Sequence, residues 1–208
     1  KKEGIACVYQ ELNIVKDLSI TDNMFLGNYL KGKAGFLDYR SMNQKTRSIL
    51  ESMNQNIDPL EICGNLGMGQ QQMVEIGKSI LWNAQVLILD EPTAGLDPGA
   101  HKEIMQMIRE IHRTENNIII FVSHNMADVA ELSDKVMVMD RGKMITVGTP
   151  AEVFTRRNRL AAIGLDVPPV TEMMYELKDR GVEVSTNVLN LKDAEEELYR
   201  YLRGKKAK

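Results

Sequence analysis

A strand that ends in two adjacent carboxylates is the feature that most constrains this chain. Residues Val86 to Leu89 are all apolar, and Asp90 and Glu91 follow them directly. A short run of Val, Leu and Ile bounded by polar residues predicts a parallel strand covered on both faces. Two carboxylates beside such a strand cost several kcal/mol unless a cation or hydrogen bonds compensate them. We therefore interpret Asp90 as a metal ligand and Glu91 as a base, while an ordinary polar turn is the alternative.

Further motifs stand around this strand. Each joins an apolar segment to polar or glycine residues, and in chain order they are Val8-Tyr9-Gln10-Glu11, Leu66-Gly67-Met68-Gly69-Gln70, Gly95-Leu96-Asp97-Pro98 and the apolar run Ile118 to Val122 with Ser123-His124. The order and spacing of these motifs resemble the nucleotide-binding domain of ABC transporter ATPases. The resemblance covers roughly residues 1 to 155.

The resemblance implies a role for each motif. In the family's terms Gln10 is the Q-loop glutamine, Leu66, Gly67, Gly69 and Gln70 belong to the signature, Asp90 and Glu91 are the Walker B pair, Asp97 is the D-loop aspartate and His124 is the switch histidine. ATP and Mg²⁺ are the implied cofactors. Asp90 and Gln10 would serve the metal, and Glu91, Gln10 and His124 the hydrolysis. The signature and Asp97 would meet the nucleotide of a second ATPase domain.

The signature departs from the common L-S-G-G-Q form at two positions. Gly67 stands where the family has a serine, and Met68 stands where it has a glycine. Two structural interpretations also stay open here. A glycine-rich start suits a tightly packed helix, and a histidine after a strand is often structural.

The phosphate loop of this family, G-x-x-x-x-G-K-[ST], has no match in the 208 residues. The stretch from Gly27 to Lys33 has a passing similarity, but its spacing is short and Ala34 follows the lysine. We therefore expect an ATPase domain that lacks its amino-terminal portion, binds ATP poorly alone and exposes an unpaired sheet edge.

Composition excludes several classes of protein. With 43% apolar residues the chain can bury a core, and its net charge of −3 argues against nucleic-acid binding through bulk positive charge. Two cysteines are too few for a disulfide framework or a zinc site, and we predict that Cys7 lies in the core. No apolar run approaches the ~20 residues that span a bilayer, so we expect membrane association to come through a partner.

The predicted fold class is α/β, with a P-loop NTPase-type parallel sheet, a helical subdomain and no phosphate-loop portion. We predict four segments: residues 1–10 end the first core strand and carry the Q-loop, 11–64 form the helical subdomain, 65–155 form the ATPase core and 156–208 form a helical appendage. Apolar spacing predicts helices over 42–53, 70–81 and 98–112, and a β-hairpin over 136–147. In the appendage it predicts a helix over 171–179 and another that is capped at 193–196.

Two kinds of relative are implied along the chain. The part up to about Gly95 resembles the ATPases of sugar ABC importers, and the part after Leu96 resembles those of energy-coupling-factor vitamin importers. Both imply an ATP-hydrolysing importer subunit at the cytoplasmic face of the membrane, with transmembrane subunits and a second ATPase domain as partners and no nucleic acid. Two alternatives are a non-hydrolytic interaction subunit that supplies the signature, and a non-transport ABC ATPase.

Overall fold

The computed structural model describes residues 4–33, 35–114 and 117–206. The chain divides into two compact units, residues 1–122 and 123–208, and each is described by itself. The four segments predicted from the sequence stay a prediction, because this division follows packing rather than the motif boundaries. No described helix is both long and apolar enough to cross a membrane.

A three-stranded parallel sheet organises the first unit. Its strands are β1 (Ile5–Val8), β2 (Val86–Asp90) and β3 (Ile118–Val122), in the spatial order β1-β2-β3. Within the register, Val8 lies opposite Leu89 and Asp90 lies opposite Val122. The predicted parallel α/β arrangement is therefore confirmed, and all three strands end at the same edge.

The two faces of this sheet differ in burial. Val8, Leu87 and Leu89 are almost fully buried on one face, where helix α3 (Met68–Leu81) packs against β1. On the other face, Ile118 is 63% exposed, and Ile120 and Val122 are also exposed. The predicted cover on both faces concerned β2, whose Leu87 and Leu89 are buried on one face while Val86 and Ile88 are only half-buried on the other, so full cover is confirmed for one face.

The prediction that Cys7 lies in the core is also wrong. Cys7 is exposed, because β1 is an edge strand and Cys7 alternates with Val8 onto the open face of the sheet. Its partners across the register are Ile88 and then Ile120. The open face is therefore apolar across all three strands.

The other helices of the first unit pack around α3. They are α1 (Ile20–Phe25), α2 (Tyr39–Ser52) and α4 (Pro98–Thr114), with a short 3₁₀ turn at Cys63–Asn65. The Ser19 hydroxyl accepts a hydrogen bond from the Asp22 amide at 3.0 Å and so caps α1. Gly77 of α3 lies where α1 and α2 meet it, since a Cβ there would come within 3.3 Å of Met24 and Ile49.

Asn23 of α1 is a fully buried polar residue with complete hydrogen bonding. Its side-chain oxygen accepts from the Val15 amide at 2.8 Å, and its nitrogen donates to the carbonyls of Val15, Leu18 and Ser19 at 2.9–3.3 Å. Burial of an amide is tolerated because these bonds replace water. The loop before α1 is thereby fixed to the helix.

Cys63 gives a direct test of this packing. It is fully buried beside Asn23, and burial raises the pKa of its thiol to about 11. Because the thiolate is the reactive form, we expect a water-soluble disulfide reagent at neutral pH to label Cys7 quickly and Cys63 only after urea unfolding. Labelling rates of Cys7→Ser and Cys63→Ser variants measure this. Equal rates for the two thiols in the folded chain would contradict the buried position of Cys63.

The second unit begins with helix α5 (Met126–Leu132) and a two-stranded antiparallel hairpin, β4 (Val136–Asp140) and β5 (Lys143–Gly148). The hairpin is as predicted, and its turn residues Arg141 and Gly142 both have positive φ. Helix α6 (Pro150–Phe154) follows. A capping box fixes its start, because the Thr149 amide donates to the Glu152 carboxylate and the Glu152 amide donates to the Thr149 hydroxyl.

The remaining helices are α7 (Arg157–Ala161), α8 (Pro169–Asp179) and α9 (Leu191–Lys206). Helices α8 and α9 share a small core around Met174, Val184 and Val188. Asn190 caps α9 by accepting from the Asp193 amide at 2.9 Å, so the predicted cap at 193–196 is wrong by one turn.

Candidate functional site

The carboxyl edge of the sheet carries the two carboxylates predicted from the sequence. Asp90 is the last residue of β2, and Glu91 is the first residue after it. The Glu91 amide donates to the Val122 carbonyl at 2.9 Å, which extends the ladder between β2 and β3 by one residue. The Glu91 carbonyl accepts from the Ala94 amide at 3.0 Å and starts a turn. The chain therefore reverses direction at Glu91.

Glu91 also has an unusual backbone. Its φ is +46°, in the left-handed region that non-glycine residues other than Asn and Asp adopt infrequently. Backbone strain of this kind costs roughly 1–3 kcal/mol and clusters at active sites. This observation favours a functional position for the Glu91 side chain over an ordinary polar turn.

Gln10 and His124 follow the two outer strands. Gln10 is exposed and lies two residues beyond β1, at the same edge as Asp90. His124 lies two residues beyond β3 but belongs to the second unit. The first unit thus brings Gln10, Asp90 and Glu91 to one edge, and the role of His124 stays a prediction.

The signature segment forms the start of α3. Gly67 is the residue before the helix, and Met68 and Gly69 are already helical, two residues earlier than the predicted start at Gln70. The Gln70 side chain accepts from the Gly67 amide at 3.2 Å. The buried side chain of Gln71 donates to the Leu66 carbonyl at 2.9 Å. These two bonds fix the backbone on both sides of Gly67.

Asp97 caps the next helix. Its carboxylate accepts from the amides of Gly99 and Ala100 at 2.8 and 3.0 Å, at the start of α4. This is the standard role of an aspartate before a helix. The structure therefore gives Asp97 a local role, and its predicted contact with a nucleotide stays a prediction.

Gly69 and Ala100 join the starts of these two helices. A Cβ built on Gly69 would lie 2.7 Å from the Ala100 Cβ, closer than two carbon atoms can pack. Gly69 is therefore required for the close approach of α3 to α4. This agrees with one of the two structural interpretations of the sequence, in which the glycines permit a tightly packed helix start. The sequence did not reveal Ala100 or Gln71, because a small residue and a glutamine carry no motif.

The donor set at the sheet edge suits Mg²⁺. Among the described residues there is no group of three or more His, Cys, Asp or Glu side chains that could hold a metal alone. Magnesium at phosphate sites uses one or two protein oxygens together with water and phosphates. The carboxylate of Asp90 and the amide of Gln10 are ligands of this kind.

Comparison with known proteins identifies the family of the chain. The ABC transporter profile matches residues 1–94, and an AAA domain profile matches residues 64–127. Over 148 residues the chain is 47% identical to the energy-coupling factor transporter ATP-binding protein EcfA2 of Caldanaerobacter subterraneus. The aligned region covers 71% of the chain and 50% of that protein. Over 212 residues it is 34% identical to EcfA2 of Clostridioides difficile, and this aligned region covers 99% of the chain and 70% of that protein. The chain thus spans only part of each relative.

Two further proteins extend the comparison. The ribose import ATP-binding protein RbsA of Caldanaerobacter subterraneus is 36% identical over 184 residues, covering 88% of the chain and 36% of that protein. The solved structure of cbiO1 from Clostridium perfringens, described as part of the ABC transporter complex cbiONQ, aligns with a TM-score of 0.64 and 28% identity. That alignment covers 84% of this chain and 68% of cbiO1.

Proposed function

We propose, since the chain belongs to the ABC transporter family of ATPases, that it is the ATP-hydrolysing part of an importer that takes up a small solute. The observation that carries the proposal is the strained backbone of Glu91 directly after Asp90, at the carboxyl edge of a parallel sheet. Such an edge is where α/β sheets bind their ligands. The relative RbsA is a ribose import protein by name, which supports uptake as the direction of transport, and EcfA2 is a transporter ATP-binding protein by name.

In this proposal each residue serves a defined atom of the reaction. Asp90 and Gln10 would hold Mg²⁺, which would neutralise charge on the phosphate oxygens. Glu91 orients and polarises the attacking water and accepts its proton. His124 contacts the γ-phosphate from the following strand end. The chemistry needs little more than positioning and charge stabilisation.

The signature and Asp97 serve a second nucleotide. We propose that Leu66, Gly67, Gly69 and Gln70 present the start of α3 to an ATP molecule held by a partner ATPase domain. The free amides of a helix start favour an anion there. The bond between Gln70 and Gly67 and the cap that Asp97 provides hold both helix starts ready for this contact. The remaining partners are transmembrane subunits, and the protein acts at the cytoplasmic face of the membrane.

A second candidate is an interaction subunit that lends its signature to a competent partner without hydrolysing ATP. The observation in its favour is that the 208 residues contain no phosphate loop. In the first proposal this loop must come from polypeptide outside these residues. We call the 208 residues preceded by a phosphate-loop strand and helix the extended chain.

Calorimetric titration with Mg·ATP tests the dependence on that loop. We expect the 208 residues alone to give no saturable heat up to about 1 mM ATP, because no backbone nest or lysine holds the triphosphate. The extended chain should bind and hydrolyse ATP. Micromolar binding by the 208 residues would contradict the required phosphate loop, and an extended chain that binds without hydrolysis would support the interaction subunit.

A further inference from the structure

A short hairpin in the first unit carries an aromatic residue that the nucleotide chemistry does not use. We call it the Phe36 hairpin; it comprises residues 30–33 and 35–38. The Asp38 amide donates to the Leu30 carbonyl at 2.9 Å, and the Gly32 amide donates to the Phe36 carbonyl at 2.9 Å. Lys31 and Leu37 pair as an antiparallel bridge. The hairpin is therefore held by its own backbone bonds.

Its apolar side chains face solvent. Phe36 is 80% exposed, Leu37 is 44% exposed and the neighbouring Tyr39 is 45% exposed. A backbone that is hydrogen-bonded in this way presents Phe36 in a fixed position. Since leaving a phenyl ring in water forgoes the gain from burying it, a fixed and exposed aromatic group suggests a contact surface.

Basic groups flank this aromatic group. Lys31, Lys33 and Arg40 are exposed, and within the described part of the chain neither lysine forms an ion pair. The nearby carboxylates lie at the base of the hairpin. Asp38 accepts from the amide and hydroxyl of Ser41 at the start of α2, and Asp22 accepts from the Tyr39 hydroxyl. The tip is thus locally positive in a chain of net charge −3.

We propose that the Phe36 hairpin binds an anionic lipid surface directly. Phe36 enters the headgroup region, and Lys31 and Lys33 face the anionic headgroups. Arg40 at the start of α2 adds positive charge beside Asp38. Aromatic side chains favour the headgroup level of a bilayer, and each Lys or Arg near an anionic surface strengthens the binding. A tip with one aromatic group and long flexible cations suits a fluid interface, which needs no preformed pocket. Membrane association in this proposal does not come through a partner alone, in contrast to the expectation from the sequence.

Vesicle flotation of the 208-residue chain tests the proposal without nucleotide. We expect the chain to float with vesicles of phosphatidylcholine and phosphatidylglycerol and not with phosphatidylcholine alone, and to be released by high salt. Phe36→Ser and Lys33→Glu should each lower the bound fraction by about tenfold. The matched control is Leu60→Ser, at a leucine that is 57% exposed but lies outside the hairpin, and it should float like the parent. Aggregated protein does not float, so self-association cannot imitate binding.

A tryptophan probe reports whether the tip enters the lipid. In a Phe36→Trp, Trp82→Phe variant, we expect anionic vesicles to shift the emission to the blue and brominated acyl chains to quench it. Absence of flotation, or flotation that persists in Phe36→Ser, would overturn the proposal. Emission that brominated acyl chains do not quench, although the protein is bound to the vesicles, would show that residue 36 stays outside the lipid. That result would also overturn the proposal and would favour a protein partner for the hairpin. Because ATP binding is measured separately, failure here leaves the proposed ATPase function unaffected.

Discussion

Replacing Glu91 by glutamine in the extended chain is expected to lower ATP turnover by roughly 10²-fold or more while ATP still binds. Glutamine keeps the size of the side chain and the same left-handed backbone, but it cannot accept the proton of the attacking water. Phosphate release and calorimetric binding measure the two effects separately. In the proposed function two ATPase domains meet across bound ATP, and hydrolysis would separate them. The variant should therefore also accumulate as an ATP-bound dimer on size exclusion.

The matched control for this substitution is Glu51→Gln. Glu51 is an exposed glutamate near the end of α2 and follows no strand of the sheet, so the turnover of this variant should equal that of the parent. If Glu91→Gln hydrolysed ATP at the parent rate, Glu91 would have only a structural role, and the strained backbone at this position would need another explanation.

Replacing Gly69 by alanine in the 208-residue chain is expected to lower the free energy of unfolding by about 1–3 kcal/mol. The new methyl group would lie 2.7 Å from the Ala100 Cβ, and Asp97 holds the start of α4 in place. Ala100→Gly removes the obstructing methyl group. The double variant should therefore recover much of the loss, and a double-mutant cycle by urea unfolding measures the coupling between the two sites.

Gly67→Ala is the control for this cycle. A Cβ at Gly67 would come no nearer than 4.0 Å to the Gln70 side chain, so its effect on unfolding should show no coupling to Ala100→Gly. Additive effects of Gly69→Ala and Ala100→Gly would contradict a direct contact. In the extended chain we expect Gly69→Ala to lower ATP hydrolysis by displacing the signature, and Ala100→Gly to restore part of it because it removes the methyl group that the new side chain meets.

The elements of this fold were predictable because their signals are local. Strand β2 was evident from four apolar residues before Asp90, and the hairpin of β4 and β5 from the apolar spacing over 136–147. Helix α3 began two residues before the predicted position, inside the signature. A helix whose first turn contains glycines has no propensity signal for its start, so packing decides it.

The tertiary relations were not predictable in the same way. An apolar strand is compatible with burial on one face or on two, and the exposure of Ile118 depends on what covers the sheet rather than on β3 itself. Sequence reasoning placed Cys7 in the core for the same reason. It assigned Gly69 to a phosphate and Asp97 to a nucleotide, whereas the structure adds the Ala100 contact and the helix cap. One residue can serve both purposes, and a motif reveals only one of them.

The hydrogen bonds of Asn23 make the connection between the sheet and the helices short. Asn23 binds both the amide and the carbonyl of Val15, so only residues 11–14 separate Gln10 from a segment that is anchored to α1. A displacement of Gln10 by metal or nucleotide would therefore be transmitted to α1 through only these four residues. The Val15 amide should accordingly exchange its hydrogen as slowly as a helical amide, and only when α1 itself opens.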